Sequence, residues 1–169
     1  SRMVTLPCVV SGRYIGQCFT KLESSMALMY SKGMPIGTPM PGFSLPGTDG
    51  RIWSDRDVAD AAIVVVVFTC NHCPYAIASE DRLIALQQEF ANEGVRFVLI
   101  SSNDAERYPE DSFENMVLRS KEKRFPFPYL YDESQAVARA YDAACTPDVF
   151  VFDTARTLAY NGRIDDNWQ

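Results

Sequence analysis

The run Ile63-Val64-Val65-Val66-Val67-Phe68 constrains the fold of this chain more than any other segment. It is β-branched, apolar and without polar alternation, so it suits a strand buried on both faces and calls for packed layers on either side of a sheet. Directly behind it stands Thr69-Cys70-Asn71-His72-Cys73-Pro74. Beyond that, Ile77, Leu83, Ile84, Leu86 and Phe90 recur near helical spacing, which predicts a helix over Ala76 to Ala91. Pro74 falls close to the helix start, where its missing N–H costs nothing. The expected order is therefore strand, Cys-x-x-Cys, helix.

That order gives the cysteines a chemistry. A thiol at a helix N-terminus feels the positive end of the macrodipole and unpaired N–H groups, and both favour thiolate over thiol. On this reading Cys70 is the exposed, low-pKa nucleophile. Cys73, about one helical turn further on, is the more buried resolving thiol that attacks a mixed disulfide at Cys70. His72, the only histidine in the chain, would tune the thiolate as an imidazolium.

The 169 residues suffice for one well-buried core and are short for two. A formal net charge of -6 argues against nucleic acid or an anionic membrane as the main partner. The longest apolar stretch, Ala61 to Phe68, falls far short of the ~20 residues that span a bilayer. Residues 1 to 30 lack the basic start, apolar segment and small-residue cleavage site of a signal peptide, and the five cysteines form no disulfide-framework spacing. A cytoplasmic protein with reduced thiols is expected.

The Pro/Gly-rich stretch Met34 to Gly42 reads as the boundary between an N-terminal extension, residues 1–33, and a folded domain, residues 34–169. Phe43 to Leu45 and Arg51 to Trp53 flank turn residues and read as a small hairpin. Val95 to Ile100 is a second core strand, and a right-handed crossover makes it parallel to the first. A helix is expected over Glu110 to Lys123, ended by Phe125-Pro126-Phe127-Pro128. Ser134 can cap a short helix through Tyr141, and Val149 to Phe152 and Thr157 to Tyr160 read as an antiparallel pair. The sum is an α/β chain: a central mixed sheet with helices on both faces and an N-terminal hairpin. Asn103 and Asp104, at the end of the second strand, can line a substrate edge.

With these pieces in place the chain resembles the thioredoxin-like superfamily, and within it the redoxin or AhpC/TSA peroxiredoxin-like group. The resemblance spans roughly residues 35 to 165 and rests on Gly42-Phe43-Ser44-Leu45-Pro46 with Asp49-Gly50, on Cys70-Asn71-His72-Cys73-Pro74, on Ser101-Ser102-Asn103-Asp104, and on Cys145-Thr146-Pro147-Asp148-Val149-Phe150-Val151-Phe152-Asp153. It implies a cis Thr146–Pro147 bond opposite the cysteines, with the Thr146 backbone free to pair with an extended substrate. It also implies antioxidant or thiol–disulfide chemistry in cell redox homeostasis, with protein or small-molecule disulfides, dithiols or peroxide as partners and no bound cofactor, since electrons pass between thiols.

This chain departs from the family pattern at three points. Typical peroxiredoxins carry PxxxTxxC, yet the corresponding positions are Ile63 and Val67 before Cys70, and Val66 and Cys70 before Cys73. Thioredoxin keeps a buried carboxylate six residues before its first cysteine, where this chain has Val64, so the acceptor for the resolving thiol's proton is unassigned. The sequence runs to Asp165-Asp166-Asn167-Trp168-Gln169, and the C-terminal helix usual in the family is not expected within it. Phe19, Leu22, Met26, Met29 and Tyr30 fall at helical spacing, so the extension could cover that face in its own subunit or, in a homodimer, in a neighbour.

Thiol–disulfide exchange through Cys70 and Cys73 is the expected activity, with Thr146 and Pro147 shaping the substrate face and Cys145 as a candidate third redox thiol. A thiol peroxidase that oxidises Cys70 to a sulfenic acid is the enzymatic rival. A binding module holding copper or zinc on Cys70, His72, Cys73 and Cys145 is the rival of another class. A Cys-x-x-Cys zinc site needs a second pair, and the spacing of Cys8 and Cys18 does not supply one, so no metal is expected.

Overall fold

The computed structural model describes residues 34–164, together with the short antiparallel pair Val9–Val10 (β1) and Arg13–Tyr14 (β2). The expectation that residues 19–30 cover a sheet face lies outside the described residues. From Met34 onward the order is β3 (Ser44–Pro46), β4 (Ile52–Ser54), β5 (Ile63–Phe68), α1 (Pro74–Phe90), β6 (Val95–Ser101), α2 (Phe113–Lys123), β7 (Tyr129–Tyr131), α3 (Ala136–Ala140), β8 (Asp148–Phe152) and β9 (Leu158–Gly162).

Five strands form one mixed sheet in the order β7-β6-β5-β8-β9. β5, β6 and β7 run parallel, while β8 and β9 are antiparallel additions. β5 is the middle strand, which accounts for its composition. Val64, Val66 and Phe68 point into one core with Ile100, Phe150, Phe152, Val137 and Tyr141. Val65 and Val67 point into the other, with Leu83, Phe97, Leu99 and Met116. Successive side chains of a strand face opposite ways, so a strand flanked by two cores must be apolar throughout.

The two cores locate the helices. α1 supplies Leu83 and α2 supplies Met116 to one face, and α3 supplies Val137 to the other, beside Phe43 and Leu45 around the hairpin β3–β4. The expected mixed sheet with helices on both faces is what the chain forms. A further tie joins α1 to α2: Glu80, 4% exposed, accepts two hydrogen bonds from the Arg119 guanidinium at 2.9 and 2.7 Å. Among the described residues no helix is long and apolar enough to cross a membrane.

Several details differ from the sequence reading, among them the N-cap of α3, which is Gln135 rather than Ser134. β7 was not anticipated, because three residues behind Phe125-Pro126-Phe127-Pro128 are too few to show a period and read as a break. They pair because Pro128 lies just before the strand, where its carbonyl accepts from Leu99 N and no N–H is required of it. The second long helix begins at Phe113 rather than Glu110: Ser112 is its N-cap, and Pro109–Asp111 forms a separate 3-10 turn. The Pro/Gly-rich boundary is stitched to the sheet, with Gly37 N donating to the Leu158 carbonyl and Leu158 N to that of Thr38.

Phe150 is fully buried and meets Phe68 and Tyr141 edge-on, with ring centroids 5.7 and 5.4 Å away. Phe150→Ala is expected to lower the unfolding free energy by about 3–5 kcal/mol in urea denaturation. A loss below about 1 kcal/mol would mean that the aromatic cluster does not close the core there.

Candidate active site

β5 delivers Thr69 and Cys70 to the end of the parallel part of the sheet, and Thr69 N still donates to the Ile100 carbonyl of β6 at 2.8 Å. The chain then turns into α1 with Cys73 as N-cap and Pro74 as the first helical residue. Both thiols therefore sit where α1 begins. They hydrogen-bond one another, and each also reaches the β8 side: Cys70 Sγ is 3.3 Å from Thr146 Oγ1, and Cys73 Sγ donates to the Thr146 carbonyl oxygen at 3.5 Å. The Thr146–Pro147 bond is cis. Cys145 precedes it and is half-buried.

The burial of the two thiols is the reverse of the expectation. Cys70 is 2% exposed, whereas Cys73 is only half-buried. The Cys73 thiol is lowered to about 5, first by the hydrogen bond from the Cys70 thiol and then, against partial burial, by the backbone N–H groups of Ala76 and Tyr75. Cys70 is pushed up first by its hydrogen bond with Cys73 and then by burial, and the nearby Asp111 carboxylate adds to the shift. The expectation of an exposed Cys70 and a buried Cys73 is thus corrected. The N-cap residue is the second cysteine, and orphan N–H groups of the first helical turn reach the sulfur that lies over them.

His72 is not a free imidazole of the turn. Its Nδ1 lies 2.5 Å from Asp111 Oδ2, and its ring stacks on Tyr108 with centroids 4.3 Å apart and planes 6° from parallel. Asp111 is fully buried in the 3-10 turn before α2. Its Oδ1 accepts from Asn71 N at 2.7 Å and His72 N at 3.2 Å, and its Oδ2 also accepts from Asn103 Nδ2 at 2.8 Å. Asn71 completes the frame, donating to the Glu110 carbonyl and accepting from the buried Tyr129 hydroxyl. Cys70 Sγ, a ring nitrogen of His72 and a carboxylate oxygen of Asp111 all lie within 4.8 Å of one another. The Asp111 oxygens are already engaged by N–H donors, so the set forms a hydrogen-bonded dyad beside a dithiol rather than the paired thiolates of a structural zinc cage.

Of the residues singled out from sequence, the structure brings Cys70, Cys73, His72 and Thr146 together, with Pro147 adjacent to Thr146. Asn103 joins them through Asp111. Asp111, Tyr108, Asn71 and Tyr129 were missed. The one sequence signal for Asp111 was Ser112, a good N-cap that would have placed the acid before the helix instead of on its surface.

Comparisons with known proteins bear on the family and the fold. The model of the AhpC/TSA family matches residues 36–161. An uncharacterized conserved protein from Geobacillus kaustophilus is 48% identical over 79% of this chain and 71% of its own, with a TM-score of 0.77. A hypothetical protein from Sinorhizobium meliloti is 37% identical over 80% and 74%, with a TM-score of 0.78. At the level of fold alone, the peroxidoxin BcpB of Mycobacterium tuberculosis is 21% identical over 74% of this chain and 82% of its own, with a TM-score of 0.62. No curated protein matches the chain. The fold and site are those of a thioredoxin-like redox protein. The chain belongs to the AhpC/TSA family, whose members act on thiol or disulfide substrates.

Alkylation of Cys73 in the reduced protein is expected to follow its thiolate fraction: slow below pH 5, half-maximal at about 5 and level above. Cys70→Ala removes the leading donor and should move the midpoint upward. An unchanged midpoint, read by peptide mapping of iodoacetamide labelling, would show that the helix N-terminus alone sets it.

Proposed function

We propose that the protein is a thiol–disulfide oxidoreductase in which Cys73 attacks and Cys70 resolves. The observation that carries this reading is the contact between a half-buried cysteine at a helix N-terminus and a buried cysteine hydrogen-bonded to it. A disulfide substrate meets Cys73 first. Cys70 then lies one bond exchange from the mixed disulfide, so the substrate leaves reduced and the protein oxidised.

Thr146 and Pro147 form the substrate edge in this reading. The Thr146 carbonyl beside Cys73 supports an extended peptide or a small disulfide lying along that backbone. Electrons come from an external dithiol, with no resident cofactor, and the thiol count supports a cytoplasmic setting. The peroxide-activating Pro and Thr are absent from both cysteine positions, which favours exchange over peroxidase chemistry.

Cys70→Ser should trap a mixed disulfide on Cys73, and mass spectrometry of the trapped adducts would identify the partner. Absence of any adduct from either a cell extract or an added aromatic disulfide would sink the exchange reading. Cys145→Ser is expected to leave reduction of such a disulfide within about twofold of the wild-type rate, because the two reacting thiols are already in contact. A larger loss would assign Cys145 a redox role.

A further inference from the structure

The loop between the two cysteines is pinned at its ends by regular structure and in its middle by groups from elsewhere in the fold. At one end Thr69 N donates to the Ile100 carbonyl at 2.8 Å, and at the other the Cys73 carbonyl accepts from Ile77 N of α1 at 3.0 Å. In the middle, Asn71 N donates to Asp111 Oδ1 at 2.7 Å, His72 N donates to the same oxygen at 3.2 Å, and Asn71 Nδ2 donates to the Glu110 carbonyl at 2.9 Å. The Tyr129 hydroxyl, on β7, donates to Asn71 Oδ1 at 3.1 Å. We propose that Tyr129 and the turn Pro109–Asp111 are positioning elements for resolution: through Asn71 they hold the loop between the thiols so that the Cys70–Cys73 bond can close. This rests on the exchange reading above and adds the groups outside the loop that set how readily its second step runs.

The side chain of Asn71 acts as the bolt. Its amide N–H and its carbonyl oxygen are both engaged, one by the turn before α2 and the other by a strand of the sheet, so the loop is tied to two elements whose own positions are fixed. Tyr129 is 2% exposed and packs edge-on against Phe125 within the core under α1 and α2. Burial raises it, so its hydroxyl stays a donor at neutral pH. Asp111 is 0% exposed, and its Oδ2 is held by Asn103 Nδ2 at 2.8 Å. α2, which continues from the turn, is tied in turn to α1 by Arg119, which donates to Glu80 at 2.7 Å. None of these groups needs to touch the reacting sulfurs. They act on the backbone between them.

Position matters because resolution closes a ring. After the Cys73 thiolate attacks a disulfide R–S–S–R′, Cys73 carries R and R′–S⁻ has left. Cys70 then attacks Cys73 Sγ as the thiolate, its proton having passed to the buffer. The Cys70–Cys73 bond forms, the Cys73–S–R bond breaks and R–S⁻ departs, so two electrons have gone from the protein to the substrate. A loose loop must lose conformational freedom to reach that geometry, which lowers both the rate and the equilibrium constant of closure. In the clamped loop the two sulfurs already hydrogen-bond one another. A loop released from Tyr129 and Glu110 starts from a wider ensemble, so closure becomes slower and less favourable.

Dithiobis(nitrobenzoate) reports the two attacks separately, because each releases one coloured thiolate. The experiment uses the full chain with Cys8→Ser, Cys18→Ser and Cys145→Ser, so that only the active pair reacts. Tyr129→Phe removes a single hydroxyl without changing charge, and Asn71→Ala removes both side-chain ties. Each should slow the second release relative to the first by about three- to tenfold, the scale of one lost hydrogen bond. The equilibrium between the dithiol and its disulfide in a glutathione buffer, read by alkylation and mass spectrometry, should move toward the dithiol by a similar factor. A merely structural hydrogen bond would lower stability but leave that equilibrium in place, since both redox forms would lose it alike. A wild-type ratio of the two releases in either variant, parallel slowing of both, or a glutathione equilibrium that stays in place or moves toward the disulfide overturns the proposal. If the parent chain releases no first thiolate, the exchange reading itself fails, a different and separately visible result.

Discussion

Everything in this structure hangs on a strand that has no water-facing side. β5 sits in the middle of the sheet with a core against each face, and each of its residues from Val64 to Phe68 is buried. Burying one such side chain stabilises by about 1.5–3 kcal/mol, so the register of the strand is fixed more firmly than that of any exposed neighbour. The position of Cys70 follows from that register. A slip of one residue would exchange the two cores and carry the thiol to the wrong face.

From that fixed end the chemistry is assembled out of short-range electrostatics. α1 begins at once with Cys73 as its N-cap, and the N–H groups of Ala76 and Tyr75 help to lower the Cys73 thiol. Cys73 lies half-buried at that helix start, and Cys70 is buried beside it. A second anchor arrives from the connection between β6 and α2, where a 3-10 turn directs Asp111 inward. A buried carboxylate without partners would be costly, and N–H donors from three residues offset that cost. Those same bonds define the orientation of His72. Stability and site geometry are here one network, so substitutions at Asp111 act on both and must be separated by kinetics.

Much of the architecture was legible along the chain. The apolar run gave β5, helical spacing gave α1, the run Val95 to Ile100 gave β6, and Thr146-Pro147 before alternating apolar residues gave the loop and β8. β7 was illegible because it is three residues long and is held by pairing with β6 rather than by its own pattern. The second helix was read as starting three residues early, since nothing local separates a 3-10 turn from a first α-turn, and that concealed Asp111. The roles of the thiols were read by position alone. Their burial comes from elements far along the chain, which local spacing does not show.

The sequence by itself determined that two thiols stand between a buried strand and a helix, because apolar periodicity and Pro74 act over a few residues. Tertiary structure decided which thiol is buried and which carboxylate meets the histidine. His72 and Asp111 are 39 residues apart, and Cys70 and Thr146 are 76 apart. Contacts over such separations arise only when the sheet closes, and a hydrogen bond of about 3 Å is far too sensitive to that closure to be read from spacing.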